Sequence, residues 1–198
     1  RRMVPPPIEP RPEVKSDDDG EAGAARRFIQ RHLIVSPVAG LDGLQLFTPH
    51  AGSGLSRLAT TPYWAFRWAG GLALVEHISR HPRLVAGRSV LDIGAGSGLV
   101  GIAAARSGAA RVAAVEPDPL GRAAIGLNAE ANGVCVALAA PGAPPPAADL
   151  VLAGDVFYDA AVAAKMLPLL VSLAEGGAEV LVGDPFRRDL PLHALTQI

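Results

Sequence analysis

A chain of 198 residues suits a single α/β domain with a substantial buried core. Its net charge of -1 and its two lysines, Lys15 and Lys165, leave no basic footprint for nucleic acid or an anionic membrane. The lone cysteine, Cys135, excludes an internal disulfide, and no Cys/His cluster has zinc-ligand spacing, so a reducing, cytoplasmic setting without a structural metal is expected.

In chain order, 1–20 is rich in proline and charge and lacks aliphatic periodicity; it is read as a disordered tail, unlike a signal or transit peptide. Apolar runs everywhere fall short of the roughly 20 residues of a membrane span. The stretch 21–33 is expected as a short helix, and 41–47 (LDGLQLF) as a strand or half of a hairpin. From Thr60 onward, strand and helix patterns alternate, which predicts βαβ units around a parallel sheet. A helix at 71–80 precedes a buried first strand at 89–93 (SVLDI), which runs into Gly94-Ala95-Gly96-Ser97-Gly98 and a helix closed by Gly108.

The second strand is expected at 111–115, followed by a helix with Asp118 as N-cap, Pro119 at its first position and Asn132-Gly133 at its end. A third strand at 134–139, with Cys135 as a small core residue, and a fourth at 149–153 are joined by a proline-rich link. The link contains no helix pattern, yet nine extended residues reach about 30 Å, enough for the crossing in a sheet ordered 3-2-1-4. A helix at 160–174, interrupted at Pro168, leads to a fifth strand at 179–182. The chain thus divides into the tail, an N-terminal extension over 21–87 and a Rossmann-like core over 88–198.

Three alternating glycines between a strand and a helix let a ligand approach the backbone and aim N–H groups at an anion. Gly96-Ser97-Gly98-Leu99-Val100-Gly101 also satisfies the G-x-G-x-x-G dinucleotide pattern. The register argues against it: a dinucleotide loop starts directly after its strand, and counting from Gly94 puts Leu99 where the third glycine or alanine belongs. Asp92 suits a ligand with a cationic ammonium, such as the methionine part of S-adenosylmethionine, better than a pyrophosphate. Glu116, at the end of the second strand, is placed to accept hydrogen bonds from ribose hydroxyls.

Five segments together, PYWAFRWAGG (62–71), VLDIGAGSGLVGIAA (90–104), VEPDP (115–119), DLVLAGDVFYD (149–159) and VGDP (182–185), resemble the seven-β-strand lysine methyltransferases that modify the β-subunit of electron transfer flavoprotein. The resemblance implies a class I, doubly wound fold that binds S-adenosylmethionine. It implies that Trp64 and Trp68 enclose the cofactor, that Asp92, Gly94 and Gly96, in the loop closed by Gly98, hold its methionine end, and that Glu116 holds its ribose. Asp155, Phe157 and Tyr158 would line the methyl-transfer site, with Asp155 aligning the nucleophile. Two departures stand out: Ala69 replaces a proline usual in the family, and the third strand ends in Ala139-Ala140 without the polar residue that often meets the adenine.

The resulting expectation is a monomeric protein-lysine N-methyltransferase acting on electron transfer flavoprotein β-subunit. A small-molecule amine methyltransferase and a cofactor-binding module without turnover are the alternatives. Class I sheets finish with two further strands after the fifth, whereas 190–198 supplies only part of a helix, so the sheet is expected to lack its last strands.

Overall fold

The computed structural model describes residues 20–41 and 43–198, so the tail expected over 1–20 lies, but for Gly20, outside the described residues. At its centre is β3 (Ser89–Ile93), buried at all five positions, as suits a strand covered on both faces. Parallel partners flank it, β4 (Arg111–Val115) and then β5 (Ala137–Leu138) on one side, β6 (Leu150–Gly154) and then β7 (Glu179–Gly183) on the other. In order of appearance these strands lie 3-2-1-4-5, the expected doubly wound arrangement. The link from Leu138 to Leu150 crosses without a helix.

Alternation along β3 builds two cores. Val90 packs with Leu74 and Ile78 of α2 (Ala69–Arg80) and Ile102 of α3 (Leu99–Arg106). Leu91 and Ile93 pack with Leu170 of α5 (Ala160–Glu175) on the opposite face. α5 runs through Pro168 rather than stopping there, at the loss of one backbone hydrogen bond. The expected cap is in place: Asp118 Oδ1 accepts from Leu120 N at 2.8 Å to start α4 (Pro119–Ala131); Asp159 Oδ1 accepts from Ala161 N at 2.8 Å in the same way to start α5. Among the described residues no helix is long and apolar enough to cross a membrane.

Close approach governs one junction. The N-terminus of α2 lies so near the ends of β6 and β7 that a Cβ on Gly70 would stand 2.1 Å from Gly183 O, and one on Gly154 would stand 2.9 Å from Gly71 Cα. Only glycine fits at these contacts.

The half-hairpin expected in the N-terminal region is present with shifted bounds, whereas the third-strand region needs correction. The strand expected at 41–47 is β2 (Gln45–Thr48), paired antiparallel with β1 (Ile34–Pro37). The third strand is only two residues long, and Cys135 lies exposed outside it rather than in the core; β4 offers β5 only Ala113 and Ala114 as partners. The hairpin and α1 (Glu21–His32) wrap α4, where Ile29 and Leu33 bury against Ala124 and Leu127.

Two asparagines four residues apart, Asn128 on α4 and Asn132 at its C-cap, act as the partner that the β2 backbone lacks. Asn128 Oδ1 accepts from Phe47 N at 2.7 Å, while Asn132 exchanges bonds with Gln45 N and O at 3.0 and 2.6 Å. Asn128 also donates through Nδ2 to Ser97 O at 2.8 Å, so one fully buried amide ties the hairpin to the glycine loop. Asn128→Ala would leave two buried backbone groups unpaired and is expected to lower stability by about 2 kcal/mol or more. Asn128→Asp, which keeps only the acceptor, should fall between it and the parent chain in urea unfolding.

Asp92 fastens the same loop from below. Its Oδ2 accepts from Gly101 N of α3 at 2.8 Å, and burial pushes its pKa up to about 7 against that hydrogen bond, with help from the negative charge of Glu116. The folded chain therefore favours the protonated acid. The stability this lends is whole below about pH 4, the ordinary carboxylate range, and is lost as pH climbs through 7. Asp92→Asn keeps an acceptor for Gly101 and removes the ionisation. Its melting temperature should match the parent's near pH 4 and exceed it by a few degrees at pH 8.

Candidate active site

At the C-terminal ends of the strands, where doubly wound sheets bind ligands, lies a cavity of about 370 Å3. Gly94 and Gly96 form its floor after β3, Glu116 and Asp118 its wall after β4, and Asp155, Val156 and Tyr158 its wall after β6. Tyr63, Trp64 and Trp68 close it from the N-terminal extension, and Arg187 enters from beyond β7.

Of the residues singled out from the sequence, the structure gathers Trp64, Trp68, Gly94, Gly96, Glu116, Asp155 and Tyr158 around this one space. Three lie elsewhere. Asp92 points to the α3 face of the sheet, one position out of phase with the cavity-lining Ile93, and is spent on Gly101 N. Gly98 supplies the left-handed turn, φ 81°, that starts α3, with its Cα against Ile125. Phe157, only 1% exposed, belongs to the core beneath α5: Asp155 adopts φ 59°, and the chain turned there leaves Tyr158, rather than Phe157, at the cavity.

The loop's backbone is also less open than its glycines suggested. Gly94 N and Ala95 N donate to Val115 O, Gly98 N to Ala95 O, and Gly96 N to Glu116 Oε2 at 2.8 Å. These N–H groups are used within the chain, so they form no nest for a phosphate.

Glu116 is largely buried, and its Oε1 takes Asp118 N at 2.9 Å. Burial raises its pKa, opposed by the two backbone donors and by Arg122. A Cβ on Gly121 would stand 2.8 Å from Glu116 Cγ, so this glycine in the first turn of α4 makes room for the side chain. Each carboxylate oxygen keeps acceptor capacity for a further donor, which suits a vicinal diol.

Trp64 is packed into the α1–α4 core and also lines the cavity; its Nε1 is buried with no hydrogen-bond partner. An orphan N–H costs about 1–3 kcal/mol, which a bound acceptor would relieve. Trp68 is half exposed and donates from Nε1 to Tyr63 O at 2.9 Å. The rings of Tyr63 and Tyr158 lie 5.4 Å apart, and those of Tyr63 and Trp68 5.9 Å, giving the cavity an aromatic mouth. Burial raises the Tyr158 hydroxyl pKa, and Tyr63, Asp159 and Glu116 reinforce the shift.

Both oxygens of Asp155 are engaged: Oδ2 accepts from Gly71 N at 2.7 Å and Oδ1 from Arg187 at 2.5 Å. The same guanidinium reaches Asp184 Oδ2 at 3.0 Å. Burial works against its charge, but the bonds to Asp155 and Asp184 hold its pKa above the usual value. Arg187 and Tyr63 were not singled out by sequence reasoning; the available signal was a cation just beyond the C-terminal end of a strand.

Comparison with known proteins fits this geometry. Residues 71–182, more than half of the chain, match the family model described as ribosomal protein L11 methyltransferase (PrmA). The electron transfer flavoprotein beta subunit lysine methyltransferase of Xenopus laevis is 38% identical over 183 residues, covering 87% of this chain and 74% of that protein. The Danio rerio protein of the same name is 40% identical over 137 residues, covering 67% and 53%. The chain thus spans about half the length of several of these curated relatives. A methyltransferase from Thiobacillus denitrificans, solved with S-adenosyl-L-homocysteine, superposes with TM-score 0.50 at 26% identity over 66% of this chain and 56% of that one. A Thermus thermophilus 16S rRNA methyltransferase shares the fold, with TM-score 0.52 at 21% identity over 81% of this chain and 44% of that one. The chain belongs to the class I, S-adenosylmethionine-dependent protein methyltransferase family that includes the electron transfer flavoprotein beta subunit lysine methyltransferases.

Proposed function

We propose that the chain methylates the ε-amine of a lysine on a protein substrate, with electron transfer flavoprotein β-subunit as that substrate, and that the reaction belongs to the cytoplasm. The observation that carries this reading is the order of groups across the sheet: a diol-accepting carboxylate, Glu116, after β4, bare backbone at Gly94 and Gly96 after β3, and an aromatic mouth at Tyr158 after β6. This order suits an extended ligand whose ribose lies at Glu116 and whose reactive end lies at the aromatic mouth.

Bound S-adenosylmethionine supplies a methyl on a cationic sulfonium: the amine lone pair forms the N–C bond as the C–S bond breaks, its electron pair stays on sulfur, and the amine proton leaves to water. The protein's part is to bind and to orient. Glu116 and the unpartnered Trp64 N–H offer an acceptor and a donor to the cofactor, and Gly94 and Gly96 admit it without a side chain in the way. Tyr63, Tyr158 and Trp68, each two-fifths to one-half exposed, accept the alkyl stem of a lysine projecting from another protein's surface and strip water from it. A lysine amine is protonated at neutral pH, its ordinary pKa being about 10.4, so desolvation there favours the reactive neutral form. Asp155 fixes this end of the cavity through Gly71 and Arg187.

Calorimetry with S-adenosylhomocysteine tests the cofactor site. Glu116→Ala is expected to weaken binding at least tenfold, Trp64→Phe by about tenfold through loss of the N–H alone, and Gly96→Leu to abolish it. Tighter binding of NAD than of S-adenosylhomocysteine would overturn the assignment. For the reaction, the chain is incubated with labelled S-adenosylmethionine and purified electron transfer flavoprotein β-subunit, and the modified residue is located by mass spectrometry. Label on a lysine is expected; label only on free small amines would make the chain a small-molecule methyltransferase. Asp155→Ala should lose most of kcat. Asp155→Asn should lose nearly as much, because its amide turns a donor toward either Gly71 N or Arg187.

A further inference from the structure

Asp155 is the carboxylate at the reacting end of the cavity, and its surroundings pose a problem for amine chemistry. An unpaired carboxylate there would hold an incoming lysine as the ammonium, which has no lone pair to attack with. The groups facing this end are Asp155 and Tyr158 after β6, Asp159 at the cap of α5, Tyr63 from the N-terminal extension, and Arg187 with Asp184 beyond β7. Glu116 and Asp118 stand after β4, across β3, and both accept backbone N–H groups there. Arg187 is thus the cation that lines the cavity, and its guanidinium lies against Asp155 Oδ1 with a side chain 25% exposed, while those of Asp155 and Asp184 are 7% and 1% exposed.

The arrangement is built rather than incidental. Arg187 N donates to Asp184 Oδ1 at 2.7 Å, so Asp184 fixes both the backbone and the guanidinium of Arg187. Asp155 takes a left-handed backbone conformation, φ 59°, that side chains rarely adopt, and the carboxylate so placed bridges Gly71 N and Arg187. Resting on the methyltransferase reading above, we propose that Arg187 is a positioning residue for the methyl-accepting amine: by holding Asp155 Oδ1 it cancels the carboxylate's charge, so that the cavity receives lysine as the neutral nucleophile instead of trapping it as ammonium.

Two measurements on the full chain test this. The first is the pH dependence of kcat and KM between pH 6.5 and 10 for the parent, Arg187→Gln and Arg187→Lys. Uncovering the charge of Asp155 in Arg187→Gln should move the acid limb of kcat up by about one pH unit, a tenfold loss at pH 7.5. That loss should disappear near pH 9.5, KM should stay level or fall, and Arg187→Lys should restore the parent profile. Equal loss of kcat at every pH, or no loss at all, would assign Arg187 a purely structural role or none and overturn the proposal.

The second measurement reads binding and needs no turnover. Nα-acetyl-lysine methylamide labelled with 13C at Cε is titrated by NMR on the parent chain saturated with S-adenosylhomocysteine, and again on Arg187→Gln where that variant melts normally. The amine pKa of the bound probe should lie below the free value of about 10.4 in the parent and rise in the variant. A probe that fails to bind, or that titrates in the parent at or above the free value, overturns the proposal even if Arg187→Gln does not fold. A parent chain that lowers the probe's pKa yet methylates no protein lysine leaves the role of Arg187 standing and removes the protein-lysine reading instead.

Discussion

The N-terminus of α2 and the ends of β6 and β7 meet backbone to backbone, and the geometry of the cavity depends on that contact. Gly70, Gly71, Gly154 and Gly183 supply it; a single Cβ at Gly70 or Gly183 would collide with the other's carbonyl oxygen at 2.1 Å. Because the helix comes this close, Gly71 N can donate to Asp155 at 2.7 Å, and Asp155 N to Gly183 O at 2.8 Å. Pull the helix back by the width of a methyl group and Asp155 loses a ligand, the turn after β6 loses its anchor, and Tyr158 and Val156 no longer have a fixed wall to occupy. The aromatic segment is tied to the same helix, since Trp68 is the residue from which α2 starts.

The same device recurs at three neighbouring strands. After or near the end of β3, β4 and β6 a buried carboxylate accepts a glycine N–H: Asp92 from Gly101, Glu116 from Gly96, Asp155 from Gly71. At Gly101 the carboxylate approaches the backbone so closely that a Cβ would stand 3.1 Å from Asp92 Oδ2. Burial disfavours the charged forms of Asp92 and Glu116, and the hydrogen bonds return part of that cost. Asp155 also has a guanidinium hydrogen-bonded to its carboxylate, that of Arg187, at the aromatic end of the cavity.

The parts of the fold that local chemistry determines were legible in the sequence. β3 reads as an unbroken apolar run, Asp118-Pro119 as a helix start, and the glycine loop as a ligand-facing turn, because each depends on residues adjacent in the chain. Misreadings arose where distant residues decide. β1 escaped notice because Pro37 and a run of four residues carry little strand signal, and the free edge of its partner β2 is met by Asn128 and Asn132, more than 80 positions away. The resemblance placed Phe157 in the site with Asp155 and Tyr158, and the left-handed turn at Asp155, which spacing does not reveal, leaves it in the core instead. Asp92 was given a ligand because the register of Gly101 above it cannot be read from spacing. Arg187 carries no motif, and Tyr63, though inside the PYWAF segment, has no role assigned by it; their meaning comes from what they face.

The glycine loop shows how the cavity divides binding from scaffolding. Gly94, Ala95, Gly96 and Gly98 donate their N–H groups to Val115, Glu116 and Ala95, so the loop is already set in shape and little conformational entropy is left to lose when a ligand arrives. Its glycines contribute shape: a Cβ at Gly94 would meet Val156 at 3.0 Å, and bare backbone leaves the floor low. Recognition must then fall on groups with capacity to spare. Glu116 retains lone pairs on two oxygens that its two backbone donors do not exhaust, and Trp64 holds a buried N–H with nothing to receive it. One can accept and the other can donate, around a floor without side chains at Gly94 and Gly96, and that pairing suits a ligand with hydroxyls at one point and an acceptor at another rather than the phosphate a glycine-rich loop suggests when read alone.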